Sequence, residues 1–274
     1  MASTYELVIE PRKGWQAVNV RELWGYRELL GFFVWRDIKI RYKQTLLGGV
    51  WAVLQPLVGM LIFGVVFNRV ANIQSDGSPY PLFVFAGLVP WTFFQNAVGL
   101  ASNSLVNNEQ MIRKIYFPRV LIPLGQIFAL GLDMVISLAF TAVLMAYYHW
   151  PVTRGIVWLP LLILGGCLAT AGLGLIFSAL NVQYRDVKYI VPFFTQMLFF
   201  LTPVLYPATR LSPKVRLILS LNPMTGVVEG FRYALLNSPV PRGLMLESVA
   251  GCLLLFLAGI FFFKRVERNF ADVI

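Results

Sequence analysis

The chain has 274 residues, of which 58% are hydrophobic and 13% charged, and its mean hydropathy is +0.69. A soluble domain is about 45–50% apolar and about 25% charged, so this composition excludes a soluble globular protein and indicates an integral membrane protein. The net charge of +10 is typical of cytosolic loops beside anionic lipid, and no separate basic domain points to nucleic acid. Both cysteines, Cys167 and Cys252, lie in apolar runs, which argues against a disulfide framework or a zinc site.

The N-terminal region is polar and charged and has no pattern of a cleavable signal peptide, so we expect the first spanning helix to direct insertion. Residues 1–20 have the composition of a cytosolic tail. Residues 21–45 carry apolar side chains at helical spacing, with charged groups opposite them. Such a basic helix, rich in aromatic residues, is predicted to lie in the membrane interface, although packing on a protein partner stays open. The residues assigned to this interface helix are Trp35, Arg36, Lys39 and Arg41.

Residues 46–274 are predicted to form a single all-α transmembrane domain. Because a span needs about 20 apolar residues, the hydropathy pattern predicts six spanning helices, at 46–68, 81–105, 120–148, 156–180, 190–207 and 244–263. An even number places both termini on one side of the membrane. Sixteen Lys and Arg residues fall on that side and seven on the other, so the positive-inside rule places the termini in the cytosol.

A basic segment at residues 107–119 lies between the second and third predicted spans. Its composition predicts a short amphipathic helix stopped by Pro118, since proline cannot continue a helix. Exposed apolar groups mixed with charges indicate a docking surface. The residues assigned to this surface are Glu109, Met111, Ile112, Arg113, Lys114, Ile115, Tyr116, Phe117 and Pro118.

Segment 208–243 is too polar to span and too apolar for a free loop. It is predicted to form two half-helices, 211–221 and 224–236, broken at Asn222-Pro223. Irregular backbone at membrane depth is tolerated only where protein or a water-filled cavity covers it. A re-entrant or interfacial hairpin at the outer mouth is therefore expected, with a packed extracellular loop as the alternative. Its candidate residues are Asn222, Pro223, Glu229 and Arg232.

Two other patterns concern the predicted spans. Small residues recur every fourth position at Gly166, Thr170, Gly174 and Ser178, which favours close helix packing. Aromatic and apolar groups share faces in the first and fifth predicted spans. These faces either contact lipid or line a conduit for a polymer, since flat aromatic rings can pack against the C–H faces of sugars. The candidate lining residues are Trp51, Phe63, Phe67, Phe193, Met197 and Phe200.

Asp133 is the one acidic residue well inside a predicted span. A charge there is costly and suggests a function, so an ion or proton site is one hypothesis. A helix-packing hydrogen bond and a water-exposed position in a central cavity are the others. The sequence has no phosphate-binding G-x-x-x-x-G-K-[ST] loop and one histidine, His149, and no nucleophile, base and orienting group occur together. We therefore predict no catalytic residue, no metal and no cofactor bound by this chain.

Several short strings, in their order along the chain, resemble the membrane subunit of type-2 ABC exporters of cell-surface polysaccharides, the family of O-antigen, teichoic acid and capsule permeases. The strings are Trp35-Arg36-Asp37-Ile38-Lys39-Ile40-Arg41-Tyr42-Lys43 with Leu47-Gly48 and Trp51, Leu88-Val89-Pro90-Trp91, Arg113-Lys114-Ile115-Tyr116-Phe117-Pro118, Tyr184-Arg185-Asp186-Val187, Thr202-Pro203-Val204 with Tyr206-Pro207, and Leu221-Asn222-Pro223-Met224.

The resemblance implies a permease homodimer in the bacterial inner membrane, working with two copies of a separate ATPase subunit that binds ATP and Mg. Loop 107–119 would then be the coupling helix seated on the ATPase, and helix 21–43 would also touch it. A second contact would come from the loop 181–189, through Tyr184, Arg185 and Asp186. Spans 1 and 5 would wall the channel, and segment 208–243 would gate its outer mouth. The substrate implied is a lipid-linked polysaccharide.

Three alternatives remain open at this point. The first is a permease of the same superfamily that exports small molecules. The second is a secondary transporter using Asp133 as an ion or proton site, for which inverted repeats or paired broken helices would be expected. The third is a membrane-embedded transferase acting on lipid-linked sugars, which would need paired carboxylates or a His/Asp/Glu cluster at one interface.

Overall fold

The structure is a computed structural model that describes residues 20–43, 48–66, 75, 77–240, 242–267 and 270. Within these ranges the chain is helical and contains no strand. The helices are α1 (Val20–Gly25), α2 (Arg27–Lys43), α3 (Val50–Phe63), α4 (Tyr80–Asn107), α5 (Glu109–Lys114), α6 (Leu121–Tyr147), α7 (Leu159–Gln183), α8 (Val187–Leu201), α9 (Pro213–Ser220), α10 (Pro223–Leu236) and α11 (Arg242–Glu267), with short 3-10 turns at Arg154–Trp158 and Ala208–Arg210. The all-α class predicted from the sequence is confirmed for this part of the chain.

Four helices in the described ranges are long and apolar enough to cross a membrane: Tyr80–Asn107, Leu121–Tyr147, Arg154–Gln183 and Gly243–Glu267. The first and fifth predicted spans correspond to the shorter apolar helices Val50–Val66 and Val187–Leu201. The predicted span 190–207 is wrong at its C-terminal end, because helix α8 stops at Leu201.

The early end of α8 has a local cause. Thr202 adopts an extended conformation, with φ −91° and ψ 135°, and it precedes Pro203. A residue before proline is driven out of the helical region, and proline offers no N–H to continue the helix. The Thr202-Pro203 pair therefore ends the helix, where the sequence predicts a continuous span.

Helix α4 is the centre of the fold. In an apolar stretch of 18 residues of α4, 78% of the residues are buried, against 28–44% in the corresponding stretches of the other three long helices. Helix α4 packs against α3, α6, α7, α8 and α10. The aromatic residues Phe83, Phe85 and Trp91 are among its fully buried side chains. Burial of this large apolar surface holds the bundle together, and it fixes the position of both ends of α4.

The small residues of α7 allow close approach on two sides. A Cβ added at Gly174 would lie 3.0 Å from the Cβ of Ala101 on α4. The four small residues predicted to form a packing face are all buried. The closer crossing lies on another side of α7, where a Cβ on Gly172 would overlap the Leu255 carbonyl oxygen of α11. Glycine is needed at that position because nothing larger fits between the two backbones.

Segment 208–243 contains α9 and α10, separated at Leu221 and Asn222. The Asn222 side chain accepts a hydrogen bond from the Met224 amide (3.1 Å), and Pro223 occupies the first turn of α10, both of which favour a helix start there. Helix α10 is buried over most of its length, whereas Leu217 and Leu221 at α9 are 66% and 82% exposed. The two halves of this hairpin therefore have opposite environments.

Candidate docking site and transport path

Helix α5 is shorter than predicted, running from Glu109 to Lys114. It ends four residues before Pro118, because Ile115 is already extended (φ −131°, ψ 134°). Pro118 is therefore not the residue that stops this helix. Within α5, Glu109 and Arg113 form an ion pair at 2.5 Å with the i,i+4 spacing that stabilises helices.

The surface at α5 is smaller than the sequence indicates. Ile115 and Tyr116 are 60% and 80% exposed, and Arg113 and Lys114 are exposed beside them. We call these four residues, Arg113–Tyr116, the docking surface. Of the other assigned residues, Glu109 and Met111 are half-buried, while Ile112, Phe117 and Pro118 are buried.

Phe117 packs inside the chain. Its ring meets that of Phe33 on α2 edge-on, with centroids 5.7 Å apart, and it is 5% exposed. The assignment of Phe117 to an exposed docking surface is therefore corrected, since its apolar surface is already covered by α2. Substituting Phe117 would disturb the packing between α2 and the link from α5 to α6.

Helix α2 contacts both ends of the α5 segment. Before α5, Arg36 donates from Nη1 to the Asn108 side-chain oxygen (3.1 Å), and the Asn108 carbonyl accepts the first amide bonds of α5. After α5, Phe33 contacts Phe117. A displacement of α5 would therefore either break these two contacts or move α2 with it.

The carboxylate of Asp37 ties this arrangement to α6. Asp37 is buried and forms an ion pair with Arg36 at 2.8 Å, and it accepts a hydrogen bond from Gln126 of α6 (2.8 Å). Burial raises the pKa of Asp37, and the neighbouring Arg36 acts in the opposite direction. Arg36 and Asp37 of α2 are thus directed at polar partners in the link between α4 and α5 and on α6, namely Asn108 and Gln126.

Asp133 has partners from α2. Its carboxylate forms an ion pair with Arg41 at 2.7 Å and accepts a hydrogen bond from the Tyr42 hydroxyl. This supports the helix-packing interpretation of Asp133 among those the sequence left open. Trp35 and Lys39, on other sides of α2, remain exposed.

Two cavities lie between α2, α3, α4 and α6. An open cleft of about 410 Å³ has a mostly apolar surface, with polar side chains such as Arg36, Asn107 and Gln126 at its border. A smaller cavity next to it is lined by apolar residues and by six polar ones, namely Arg41, Gln55, Thr92, Asn96, Asp133 and Ser137. Arg41 lines both cavities. Gln55 and Asn96 are joined by a hydrogen bond of 3.1 Å, and neither was a candidate site residue from the sequence.

The candidate lining residues separate into two groups. Trp51, Phe193, Met197 and Phe200 are 50–66% exposed, so they lie on uncovered faces of α3 and α8. Phe63 is half-buried against Phe199, with ring centroids 5.7 Å apart. Phe67 lies outside the described residues.

At the other end of the bundle, Glu229 and Arg232 of α10 form a fully buried ion pair at 2.9 Å. The Arg232 guanidinium donates to the carbonyl oxygens of Pro203 (2.6 Å), Tyr206 (3.3 Å) and Val204. It also lies 3.6 Å from the centre of a ring on α4, that of Phe83. These predicted gate residues therefore clamp α10 to α4 and to the turn after α8.

The other predicted sites lie near this clamp or on the opposite surface. Asn222 donates from its side-chain amide to the Thr202 hydroxyl (2.8 Å), and Pro223 follows it at the start of α10. Tyr184, Arg185 and Asp186 are exposed in the short link between α7 and α8.

These features define a polytopic helical membrane protein with an exposed helix between two of its long apolar helices. The family model for ABC-2 type transporters matches residues 28–236. The match covers more than half of the chain, and the protein belongs to the ABC-2 type transporter family.

The chain is also similar to named export proteins. It is 33% identical over 260 residues to the O-antigen export system permease protein RfbA of Myxococcus xanthus, covering 93% of this chain and 98% of that protein. It is 28% identical over 248 residues to RfbA of Klebsiella pneumoniae, covering 90% of this chain and 95% of the relative. A third relative, the polysialic acid transport protein KpsM of Escherichia coli, is 25% identical over 225 residues, covering 78% of this chain and 84% of that protein.

Proposed function

We propose that this chain is the permease subunit of an ABC transporter that exports a lipid-linked, O-antigen-like polysaccharide. The observation that carries the proposal is the similarity to an O-antigen export permease along almost the whole of both chains. Because the similarity extends so far, it includes the long apolar helices as well as the exposed segment between them. The ion pair of Asp133 with Arg41 gives that carboxylate a structural role, which makes it a weaker candidate for an ion site in a secondary transporter.

The proposed assembly contains two copies of this chain and two copies of an ATPase subunit that binds ATP and Mg. Pairing with a second copy is assigned to α3 and α8, which are shorter than the four long apolar helices and carry exposed aromatic residues, among them Trp51 and Phe193. In the assembly the exposed faces of these two helices border the conduit. Six spans are proposed, with α3 and α8 as the first and fifth, and with both termini on the cytosolic side of the bacterial inner membrane.

The docking surface Arg113–Tyr116 is proposed to seat on the ATPase. Arg113 and Lys114 offer positive charge, and Ile115 and Tyr116 offer exposed apolar area. The link Tyr184–Asp186 is a second contact. Helix α2 lies in the membrane interface with Trp35 and Lys39 at the headgroups.

Movement of α5 is proposed to reach the spans through α2. The contacts of Arg36 with Asn108 and of Arg41 with Asp133 join α5 and α6 through one rigid helix, and such rigid units carry switching movements. At the outer mouth, α9 is the mobile half of the hairpin, since α10 is fixed by the Glu229–Arg232 clamp.

The proposal is tested by deleting the gene and measuring surface polysaccharide. We expect loss of the polymer from the cell surface and accumulation of its lipid-linked form inside, both restored by the wild-type gene. Affinity-tagged protein should copurify with an ATPase subunit at equal stoichiometry. Normal surface polysaccharide together with lost ATP-dependent efflux of a small molecule would contradict polysaccharide export and support the small-molecule alternative.

A further inference from the structure

Helix α4 leaves one strip of its surface uncovered, and that strip is largely polar. From Tyr80 to Trp91 the helix is almost completely buried, and beyond Trp91 the uncovered positions recur every three or four residues. At 100° per residue such spacing keeps them on one face. Five of these eight positions are polar, namely Thr92, Gln95, Asn96, Asn103 and Asn107, which we call the α4 strip; the other three are Gly99, Leu100 and Val106.

The other long helices differ in this respect. Exposed positions on α6 include Val135 and Val143, on α7 Leu164, and on α11 Leu253 and Leu254, all of them apolar. Such faces suit contact with lipid. Polar side chains within a span are costly in lipid and face a bundle interior or a water-filled cavity. The α4 strip therefore does not face lipid. It extends for about 22 Å along the helix, at 1.5 Å per residue.

The strip keeps hydrogen-bonding capacity that the described part of the chain does not use. The Gln95 side-chain oxygen accepts from the Trp91 indole (3.1 Å), which leaves its NH₂ group. Asn96 donates to the Gln55 oxygen (3.1 Å), which leaves the Asn96 oxygen and the Gln55 NH₂ group. Uncharged amide side chains have both donors and acceptors, so they can form hydrogen bonds with the hydroxyl groups of a ligand, which also donate and accept.

The two cavities make this strip continuous with the docking end of the bundle. Asn107 borders the open cleft, and Thr92 and Asn96 border the smaller cavity. Arg41 lies between them and lines both. The two cavities therefore follow α4 from the end near α5 towards its middle, and polar side chains of α4 lie along both, beside apolar residues such as Leu100.

We infer that the α4 strip, with Gln55 of α3, forms the polar wall of a water-filled transport path and hydrogen-bonds the hydroxyl groups of the exported glycan. The inference rests on the proposed function, and it assigns a wall to the second proposed span in addition to the first and fifth. The same polymer would then contact aromatic rings on α3 and α8 and side-chain amides on α4.

Water access is tested by cysteine labelling in the full-length complex. In a Cys167→Ala, Cys252→Ala background, Asn96→Cys and Asn103→Cys are treated with a charged, water-soluble thiosulfonate. The matched controls are Val135→Cys and Leu254→Cys, which occupy exposed apolar positions. We expect labelling of the strip to be at least tenfold faster than that of the controls. Equal rates, or disulfide formation between two copies through Asn96→Cys, would overturn the inference, because the strip would then face lipid or a second copy.

The glycan contact is tested by Asn96→Leu and Gln55→Leu, with Val135→Leu as the control. We expect several-fold slower export at unchanged protein level, and partial recovery with Asn96→Ser, which restores a donor and acceptor. Normal export in Asn96→Leu would contradict the contact. Labelling of the strip does not depend on the substrate, so it would persist if the proposed polysaccharide function failed.

Discussion

Arginine–carboxylate pairs lie near both ends of α4, and they differ in how exposed the arginine is. Near the N-terminal end, Arg232 and Glu229 of α10 are 0% and 1% exposed, and Arg232 also donates to several backbone carbonyls. Near the C-terminal end, the Arg36 and Arg41 side chains are 26% and 36% exposed and border an open cleft, while their partners Asp37 and Asp133 are 7% and 12% exposed. Separating any of these pairs leaves a buried carboxylate without its cation, but only at the cleft is the arginine itself in contact with solvent. The Glu229–Arg232 pair is therefore expected to resist separation more strongly than the two pairs at the cleft.

The largest effect is expected from breaking the outer clamp. Arg232→Leu leaves Glu229 buried without its cation and removes the donors to the carbonyls after α8, which costs about 3–5 kcal/mol. We expect a strong loss of folded protein, measured by yield and by the thermal unfolding midpoint in detergent. Lys214→Ala, an exposed cation on α9, is the control. A stable Arg232→Leu protein would show that the clamp is not what fixes α10.

A smaller loss is expected at the junction of α2 with α6. Asp133→Ala removes the partner of Arg41 and Tyr42, and hydrogen bonds to charged groups contribute about 1.5–3 kcal/mol. A double-mutant cycle of Asp133→Ala with Arg41→Ala, read by chemical unfolding, should give a coupling energy of about 1 kcal/mol or more. Additive effects would mean that the two side chains do not support one another.

A still smaller change in stability, with a clear change in function, is expected at Asn108. Asn108→Ala removes the acceptor of Arg36, at a cost of about 1 kcal/mol, and loosens α5 from α2. We expect export to fall several-fold while the ATPase remains bound, measured as polymer exported per ATP hydrolysed. Lys39→Gln, an exposed change on α2, should leave that ratio intact. An unchanged ratio in Asn108→Ala would remove α2 from the transmission route.

The smallest effect on stability is expected at Tyr116, which is 80% exposed. Surface substitutions of this kind change stability by about 0.5 kcal/mol or less. We nevertheless expect Tyr116→Ala to abolish export and weaken copurification of the ATPase, because it removes the largest apolar group of the docking surface. Tyr147→Ala, similarly exposed at the far end of α6, is the matched control. Export at the wild-type rate in Tyr116→Ala would exclude Arg113–Tyr116 as the coupling surface.

The local features of this protein were predictable from its sequence. Apolar runs located the long helices, the Asn222-Pro223 pair located the break between α9 and α10, and the spacing of small residues located a packed face of α7. Boundaries were less accurate, since α5 ends at Lys114 and α8 at Leu201. The periodicity of apolar residues indicates which side of a helical turn is buried. The residue at which a helix ends depends instead on the backbone conformation of individual residues, such as Ile115 and Thr202.

The candidate site was only partly predictable. Tyr116 is exposed, as the sequence predicts for a docking surface, but its neighbour Phe117 is covered by Phe33. The strip on α4 was missed because its asparagines and glutamine are scattered in an apolar run, and their shared face matters only once the rest of α4 is buried. That burial comes from five other helices, and no local pattern records it.

The sequence by itself determined that the chain is a helical membrane protein, where its helices lie, and that an exposed basic segment separates two of them, because these properties follow from side chains within one or two turns. Only the tertiary structure decided which charges are partners. Arg36 meets Asn108, Arg41 meets Asp133, and Arg232 contacts the turn after α8. These partners lie far apart in the sequence, so their meeting is set by how the helices pack and not by the spacing of residues along any one of them.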